Sequence, residues 1–425
     1  MKRIALVLSL LLLFQLGLKA QNSRGIYGMN NWMTYWSNFH PQNNNYNSST
    51  EILTGEIAAN KTLTKRNTYL LMGVVYVKNN AVLTIEPGTV IRGDKESCGT
   101  LVITKGAKIM AEGNVTDPII FTSNYSSIEC KPGDWGGLIL LGDAPVNKHG
   151  GIAKLDFNLN PNFSEYGGTN EQSNSGVLKY VRIEYAGRKI NSHKELNGLS
   201  LAGVGSATKL DNIQISFSND DSFECYGGVV NMNNVISYRA TDDDFDFTQG
   251  AQCNITNSLA VRNPFSSDIS KSRCFEIDSY DFIENMDFSR KMTRIAASNI
   301  TLINTDFSEQ GLINEAISIQ ENSDFSLTNS VVSGFESLVC MSQNIQPNSK
   351  DLSKITFQNV LVNSCIKGIV NELETANTEI ANWYNPTTCA LEFTKKSNAE
   401  IFMEINIAKD LDYRLKSNSS VVSNN

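Results

Sequence analysis

The fold is decided by residues 197–264, which read, in three successive pieces, NGLSLAGVGSATKLDNIQISFSN, DDSFECYGGVVNMNNVISYRAT and DDDFDFTQGAQCNITNSLAVRNP. A shift of 22 residues places Leu201 on Phe223 and Phe223 on Phe245. The apolar runs are short and alternate with polar residues, without the longer pattern of an amphipathic helix. A period of this length predicts one turn of a solenoid per piece. We therefore expect an all-β chain that winds into a single parallel β-helix.

Backbone hydrogen bonding explains why such pieces must stack. An isolated short strand leaves its N–H and C=O groups unpaired, whereas a strand from the next coil, about 4.8 Å away, pairs them. A column of asparagines predicts one corner of each coil: Asn212, Asn234, Asn257, Asn299, Asn329 and Asn359. An asparagine at a corner can bond the local backbone, and its amide can bond its copy in the next coil. We interpret this column as structural.

The start of the chain predicts export. Residues 1–20, MKRIALVLSLLLLFQLGLKA, combine two positive charges, an apolar run and a small residue at Ala20, as a secretory signal peptide does. No later stretch reaches the roughly 18 apolar residues that a membrane span needs, so we expect no membrane-spanning helix. The first cysteine is Cys98, so we see no amino-terminal lipoprotein anchor. The expected location is the periplasm, the outer membrane as an associated protein, or the cell surface.

Composition limits the partners. The 44 acidic residues against 36 basic ones, with no cluster of lysine, arginine and aromatic residues, argue against a nucleic-acid partner. For the domain organisation we expect a cap over residues 21–66, a β-helix over 67–415 and a tail over 416–425. Trp32 and Trp36 lie in the cap segment, where they would cover the first coil or dock a partner.

Eight cysteines in an exported chain predict disulfides, because that compartment is oxidising. Cys98 and Cys130 lie in polar stretches, and their separation of 32 residues fits one coil with a loop, so we expect this pair to be bonded. The three histidines are far apart and no CxxC spacing occurs, which gives a zinc site no support. Trp135, between glycines, is expected to be buried at a corner, the alternative being that it stacks on a sugar.

An acidic corner is the candidate for chemistry. The 22-residue shift places Asp220 over Asp242, Asp221 over Asp243, Ser222 over Asp244, and Glu224 over Asp246. If Phe223 points inward, alternation predicts that Ser222 and Glu224 face outward, together with Asp244 and Asp246 on the next coil. Carboxylates stacked at this spacing repel each other unless something intervenes.

Three arrangements would relieve this repulsion. A calcium ion could be bound by the carboxylates, since calcium takes six to eight oxygen ligands. The candidate metal ligands are then Asp220, Asp221, Glu224, Asp242, Asp243, Asp244 and Asp246. One carboxylate could instead stay protonated and form an acid/base pair. In the third arrangement the aspartates cap turns by bonding backbone N–H groups.

The chain also resembles a known family. The segments VLTIEPGTVIRG, LVITKGAKIMAEG, GDWGGLILLGDAPVN, LKYVRIEYAG and NDDSFECYGGVVNMNNVISYRATDDDFDF are similar to exported bacterial proteins of the right-handed parallel β-helix, pectate-lyase-like class. The resemblance covers residues from about 50 to 370. It implies a right-handed coil and a place in the envelope or outside the cell, and it implies no settled biochemical activity.

Enzymes with this fold define the catalytic alternative. β-Helix polygalacturonases place aspartates on adjacent coils as acid and base, which Asp220, Asp221, Asp242 and Asp243, with Asp244 beside them, resemble. Those enzymes also carry a histidine near the site, and no histidine lies in this repeat. Pectate lyases combine acidic calcium ligands with an arginine base, and Arg239 lies three residues before Asp242.

From these observations we expect an exported β-helix that acts in binding or assembly rather than as an enzyme. Its partner would be a glycan or an envelope protein, with outer-membrane transport or surface machinery as the first candidate. No cofactor other than calcium is suggested. The alternatives are a polysaccharide lyase or hydrolase that uses the acidic corner, and a calcium-stabilised structural rod.

Overall fold

The structure is a computed structural model that describes residues 24–28, 30–192, 194–268, 271–280, 282–305 and 311–416. The expected signal peptide, residues 1–20, lies outside the described residues. The same is true of residues 417–425, which make up nearly all of the expected tail.

Most of the described chain forms parallel strands that wind into a coil with three faces. The first face contains Glu56–Ile57, Val74–Val77, Thr100–Ile103, Gly137–Leu141, Leu199–Ala202, Phe223–Tyr226, Phe245–Thr248, Phe275–Ile277, Glu315–Ile319, Ser337–Met341 and Lys367–Asn371. The second contains Lys61–Leu63, Val82–Ile85, Lys108–Glu112, Val229–Asn233, Gln252–Thr256 and Arg294–Ser298. The third contains Glu51–Leu53, Thr68–Leu71, Val90–Gly93, Ile119–Ser123, Ile236–Tyr238, Leu259–Arg262, Thr301–Asn304 and Leu391–Thr394. Four longer strands run through the second and third faces: Gly176–Glu184, Lys209–Ser216, Asp324–Ser333 and Ile355–Asn363. The expected all-β parallel β-helix is confirmed.

Aromatic side chains stack along the inside of the first face. Phe223 pairs with Phe245, their rings 5.3 Å apart, and the Phe245 ring lies 5.0 Å from that of Phe275. The predicted pairing of Leu201 with Phe223 is wrong, because Leu199 pairs with Phe223. The offset there is 24 residues rather than 22, since the coil that starts at Leu199 is longer. Like residues in consecutive coils nevertheless fill one continuous core, as stacking requires.

The asparagine column forms the corner between the second and third faces, as expected. All six members have positive φ values, from 49° to 57°, a left-handed conformation that asparagine tolerates better than most residues. Asn257 Nδ2 donates to Asn234 Oδ1 over 2.7 Å, and Asn359 Nδ2 donates to Asn329 Oδ1 over 2.7 Å. In these two pairs, the side-chain amide therefore bonds the equivalent asparagine one coil away. Tyr180, with a φ of 50°, occupies the same corner one coil before Asn212.

Insertions and the end of the chain add the remaining elements. The described residues form three antiparallel strand pairs: Ala153–Lys154 with Glu165–Tyr166, Lys189–Asn191 with Lys194–Glu195, and Phe402–Glu404 with Asp412–Leu415. The described α-helices are all short: Ser349–Leu352, Asn377–Trp383, Pro386–Cys389 and Asn398–Ile401. The described 3₁₀ turns are Pro41–Asn43, His149–Gly151, Ile283–Asn285 and Glu374–Ala376. Ile380 and Tyr384 close the core beyond the last coils, where Tyr384 packs against Phe357.

The amino-terminal segment differs from the expected cap in two ways. The first coil begins at Glu51, not at residue 67, because Glu51–Leu53 already pairs with Thr68–Leu71. The described residues before it, 24–28 and 30–50, run lengthwise along the outer surface of the third face and do not cover the first coil. Their hydrogen bonds pass from late coils to early ones, joining Arg24 to Asn359, Gly25 to Asn329, Tyr27 to Asn257, and Asn38 to Gln214. Trp36 is fully buried in this contact.

The structure also shows the state of the cysteines and the position of Trp135. All eight cysteines lie in the described part of the chain and are free thiols, so the expected Cys98–Cys130 disulfide is absent. The Cys130 thiol instead donates to the Ser126 carbonyl over 3.3 Å, and the Cys98 thiol lies 3.9 Å from the Thr100 hydroxyl. Trp135 is fully buried and its indole N–H donates to the Glu184 carbonyl over 2.8 Å, as a corner residue rather than a sugar platform.

Candidate functional site: an acidic cluster on two adjacent coils

The candidate site lies where the chain turns from the third face into the first face, on two adjacent coils. We call Asp220, Asp221, Glu224, Asp242 and Asp246 the acidic cluster. Asp220, Asp221 and Asp242 precede the first-face strands. Glu224 and Asp246 lie within those strands and pair directly with each other in the sheet. The β-helix therefore holds one set of carboxylates over its copy, because parallel strands in register place equivalent residues side by side.

The carboxylates converge in two groups of three. Asp220, Asp221 and Asp242 each offer an oxygen, and these oxygens lie within 4.8 Å of one another. The same holds for Asp221, Glu224 and Asp246. Asp221 belongs to both groups, so the cluster is continuous. This spacing allows one cation to touch three carboxylates at once, which is the coordination that calcium favours.

Part of the corner is turn capping, the third arrangement expected from the sequence. Asp221 Oδ1 accepts a 2.9 Å hydrogen bond from the backbone N–H of Asp243, and Asp243 Oδ1 accepts one from the backbone N–H of Arg273. Each aspartate thus supports the corner of the next coil. Asp221 retains its second oxygen for the cluster, whereas Asp243 belongs to neither group of three.

Asp244 has a purely structural role. It is fully buried, contrary to the expectation that it and Ser222 face outward. Its Oδ2 lies 3.1 Å from Nη1 of Arg262, which is also fully buried, and its Oδ1 accepts from the Ser237 hydroxyl. Alternation does not extend through the corner, because Ser222 and Asp244 precede the first strand residue. Asp244 therefore belongs to neither group of three carboxylates and is engaged by Arg262 instead.

Burial raises the pKa values of four members of the cluster, Asp220, Asp221, Glu224 and Asp246. It raises the pKa of Glu224 from 4.5 to about 7. It also raises the pKa of Asp220, where the charge of Asp242 adds to the effect, and the pKa of Asp246, where that of Glu224 adds. The pKa of Asp221 rises for the same reasons, burial first and then the neighbouring Asp220. Ionising all of these groups together is unfavourable in a site with a low dielectric constant.

Two polar residues outside the repeat of acids hold Glu224 in place. Asn197 Nδ2 and the Tyr226 hydroxyl both donate to Glu224 Oε2. Asn197 is only 2% exposed, and its Oδ1 has no hydrogen-bond partner among the described residues. Asp246 Oδ1 likewise lacks a hydrogen-bond partner in the described part of the chain. A buried acceptor without a donor is costly, so these oxygens are suited to accept a bound group.

Sequence reasoning missed Asn197 and Tyr226. Tyr226 could have been found, since it lies two residues after Glu224 in a strand and so shares its face. Asn197, the first residue of the repeat, gave no signal, because its contact with Glu224 spans 27 residues.

Arg239 does not join the acidic cluster. It adopts a left-handed backbone, with a φ of 58°, and its guanidinium lies over the Tyr238 ring at 5.3 Å. It lines a separate cavity on the outer surface of the third face. Arg262, its copy in the next coil, instead pairs with Asp244. The two arginines thus occupy equivalent positions in consecutive coils, but their side chains leave the corner in different directions.

The comparisons with known proteins agree with the architecture. The sequence matches the family described as the pectate-lyase like beta helix domain over residues 55–401. No curated protein and no solved structure gave a significant match. None of the helices in the described ranges has the length and apolar character needed to cross a membrane. The family match spans most of the chain, and its limits follow the coiled part of the structure. The chain therefore belongs to the pectate-lyase-like β-helix family.

Proposed function

We propose that this protein is an exported β-helix that acts as a binding or assembly scaffold of the cell envelope, and that its acidic cluster holds a calcium ion. The observation that carries the proposal is the convergence of two groups of three carboxylates that share Asp221. The raised pKa values of Asp220, Asp221, Glu224 and Asp246 disfavour the ionised state of these groups in the absence of a cation. A bound cation removes this penalty, because an opposite charge within a few ångströms favours the ionised form.

The donor set favours calcium over other metals. The cluster offers only carboxylate oxygens, together with the amide oxygen of Asn197 nearby. Zinc prefers nitrogen and sulfur ligands, and magnesium demands near-octahedral geometry and retains several waters. Calcium accepts six to eight oxygens in flexible arrangements, so it fits carboxylates positioned by two separate coils.

The scaffold part of the proposal rests on the family, on the expected signal peptide and on the acidic net charge of −8. A long stack of coils presents an extended surface, which repeat proteins use for binding. The partner would be a glycan or an envelope protein, with outer-membrane transport or surface machinery tested first. A pull-down from solubilised envelopes, followed by a glycan array, should recover a saturable partner. Recovery of none in either experiment would contradict the scaffold role.

Thermal unfolding tests the calcium site. The metal-free protein should gain stability on addition of calcium, by about 2.7 kcal/mol when calcium is at 100 times its Kd. The Asp246→Asn and Glu224→Gln variants should lose most of this gain. Asp410→Asn, which changes an exposed carboxylate in the carboxy-terminal loop, is the matched control and should retain it. An unfolding curve that does not shift on addition of calcium, or that shifts equally in all variants, would contradict calcium binding at the acidic cluster.

One observation favours the enzymatic alternative. A pKa of about 7 for Glu224 suits a general acid, and Asp246 is the neighbouring carboxylate in the next coil. Incubation with a panel of acidic polysaccharides would then give unsaturated products or new reducing ends, and Glu224→Gln would abolish them. Absence of both products from the parent protein contradicts catalysis without touching the calcium proposal.

A further inference from the structure

A second candidate site lies on the outer surface of the third face, apart from the acidic cluster, and shares no residue with it. A cavity of about 570 Å³ opens between the third-face strands and the hairpin formed by Phe402–Glu404 and Asp412–Leu415. We call it the flank cavity. Its volume lies in the range of about 300–1,000 Å³ that is typical of small-molecule sites.

One side of the flank cavity is apolar. Val261 and Ile303 belong to third-face strands and are fully buried, and the hairpin segment adds Ile405, Leu411 and Tyr413. These side chains face one another because the hairpin packs across the outer surface of several coils. An apolar wall of this kind accepts the hydrocarbon part of a ligand.

The polar side of the flank cavity is cationic. Arg239 and Lys396 both line it, and no aspartate or glutamate is among its described lining residues. The nearby Glu400 is already engaged, since it accepts hydrogen bonds from the backbone N–H and hydroxyl of Ser397. The pKa of Glu400 is lowered first by its hydrogen bonds from Ser397 and to a smaller extent by the charge of Lys396. Because Glu400 does not line the cavity, the two cations in the wall mark a site for an anion.

Arg239 is held ready for such a ligand. Its guanidinium stacks over Tyr238, which restricts its rotamers, and its Nε is buried without a hydrogen-bond acceptor among the described residues. The left-handed backbone at Arg239 directs the side chain into this cavity rather than toward Asp244. An unsatisfied buried donor is costly, and a planar guanidinium binds carboxylate, sulfonate or phosphate oxygens in a bidentate manner.

We propose that the flank cavity binds a small anionic ligand with an apolar body. The anionic group contacts Arg239 and Lys396, and the apolar body lies against Ile405 and Leu411 of the hairpin segment. This site is independent of the acidic cluster, so the failure of either proposal leaves the other standing.

A pair of fluorescent probes tests the charge requirement. Anilinonaphthalene sulfonate carries an anion on an apolar ring system, and N-phenyl-1-naphthylamine has the same rings without the sulfonate. The proposal predicts saturable binding of the sulfonate with one molecule per chain, and binding of the neutral probe that is at least about tenfold weaker, as loss of a charged hydrogen bond implies. Equal binding of the two probes, or no binding of the sulfonate, would overturn the proposal.

Three variants and a control locate the binding. Arg239→Gln and Lys396→Gln should each weaken binding of the sulfonate about tenfold. Ala399→Trp, which adds an indole at the rim, should block both probes. Lys395→Gln removes the neighbouring exposed lysine and should leave binding unchanged. Urea midpoints confirm that each variant is folded. Unchanged binding in all three cavity variants, or an equal loss in the control, would overturn the assignment.

Displacement of the sulfonate probe distinguishes two sources of the anion. Displacement by decanoate but not by galacturonate identifies a lipid-like acid and supports the proposal. Displacement by galacturonate but not by decanoate would show that the ligand needs no apolar body and would overturn the proposal. If decanol displaces the probe as well as decanoate does, or if neither acid displaces it at millimolar concentration, the proposal fails.

Discussion

In metal-free buffer, the stability of the protein should fall as the pH rises from 5 to 8. The pKa of Glu224 is raised by burial from 4.5 to about 7, so between these values the folded protein binds a proton that the unfolded chain releases. The stabilising contribution of the protonated form is complete below about pH 4.5 and is lost as the pH rises through 7. The raised pKa values of Asp220, Asp221 and Asp246 act in the same direction.

The size of the effect follows from the pKa. Since one pKa unit corresponds to about 1.36 kcal/mol, the rise from 4.5 to about 7 in Glu224 corresponds to about 3 kcal/mol. Glu224→Gln removes this ionisation, and its amide oxygen can still accept from Asn197 and Tyr226. The variant should therefore be more stable than the parent at pH 8 and close to it at pH 5. Saturating calcium should reverse the order, because the cation requires the ionised carboxylate.

Urea unfolding at pH 5, 6, 7 and 8 in metal-free buffer measures this dependence. The matched control is Glu336→Gln, which changes a glutamate just before the first-face strand Ser337–Met341 and away from the acidic cluster, because Glu336 is already paired with Lys367 at 2.7 Å. The control removes an ion pair and should gain no stability at pH 8. A parent stability that is flat or rises with pH, or equal gains in both variants, would refute the reasoning.

Three further outcomes are expected in urea unfolding. Asp244→Asn should lower the free energy of unfolding by about 3–5 kcal/mol, because it leaves buried Arg262 unpaired, whereas Asp244→Leu combined with Arg262→Met should recover most of the loss. A double variant as unstable as the sum of the single ones would contradict this. Asn257→Ala should lower the free energy of unfolding by about 1–2 kcal/mol. Asn257→Gly loses the same amide but carries no strain at the positive φ, so the two variants should differ in stability by that strain alone. Equal stability of the two variants would exclude backbone strain. Trp36→Ala should cost about 3–5 kcal/mol and expose residues 24–50 to proteolysis, and unchanged protection would show that the segment is not docked.

Periodic features of the fold could be predicted from the sequence. The asparagine corner and the Phe223–Phe245 pair follow from stacking, because each coil repeats the conformation of its neighbour. The register of Leu201 could not be predicted, since one coil is two residues longer than the next. The period alone does not show where the extra residues are placed.

Contacts between distant parts of the chain could not be predicted. Tyr27 bonds Asn257 across 230 residues, and no local pattern encodes that pairing. The Cys98–Cys130 disulfide was inferred from sequence separation, which does not fix the distance between the Cβ atoms that a disulfide requires. Asp244 is buried because it pairs with Arg262, which lies in another strand, Leu259–Arg262. Alternation within a single strand cannot reveal such a contact.

The central claim is that the acidic cluster holds calcium, and isothermal titration of calcium into the metal-free protein at pH 7.5 tests it most directly. The account predicts saturable binding that disappears in Asp221→Asn, because this change removes the charge shared by both groups of three carboxylates. It also predicts unchanged binding in the exposed control Asp410→Asn. Absence of binding in the parent, or equal binding in Asp221→Asn, would contradict the account.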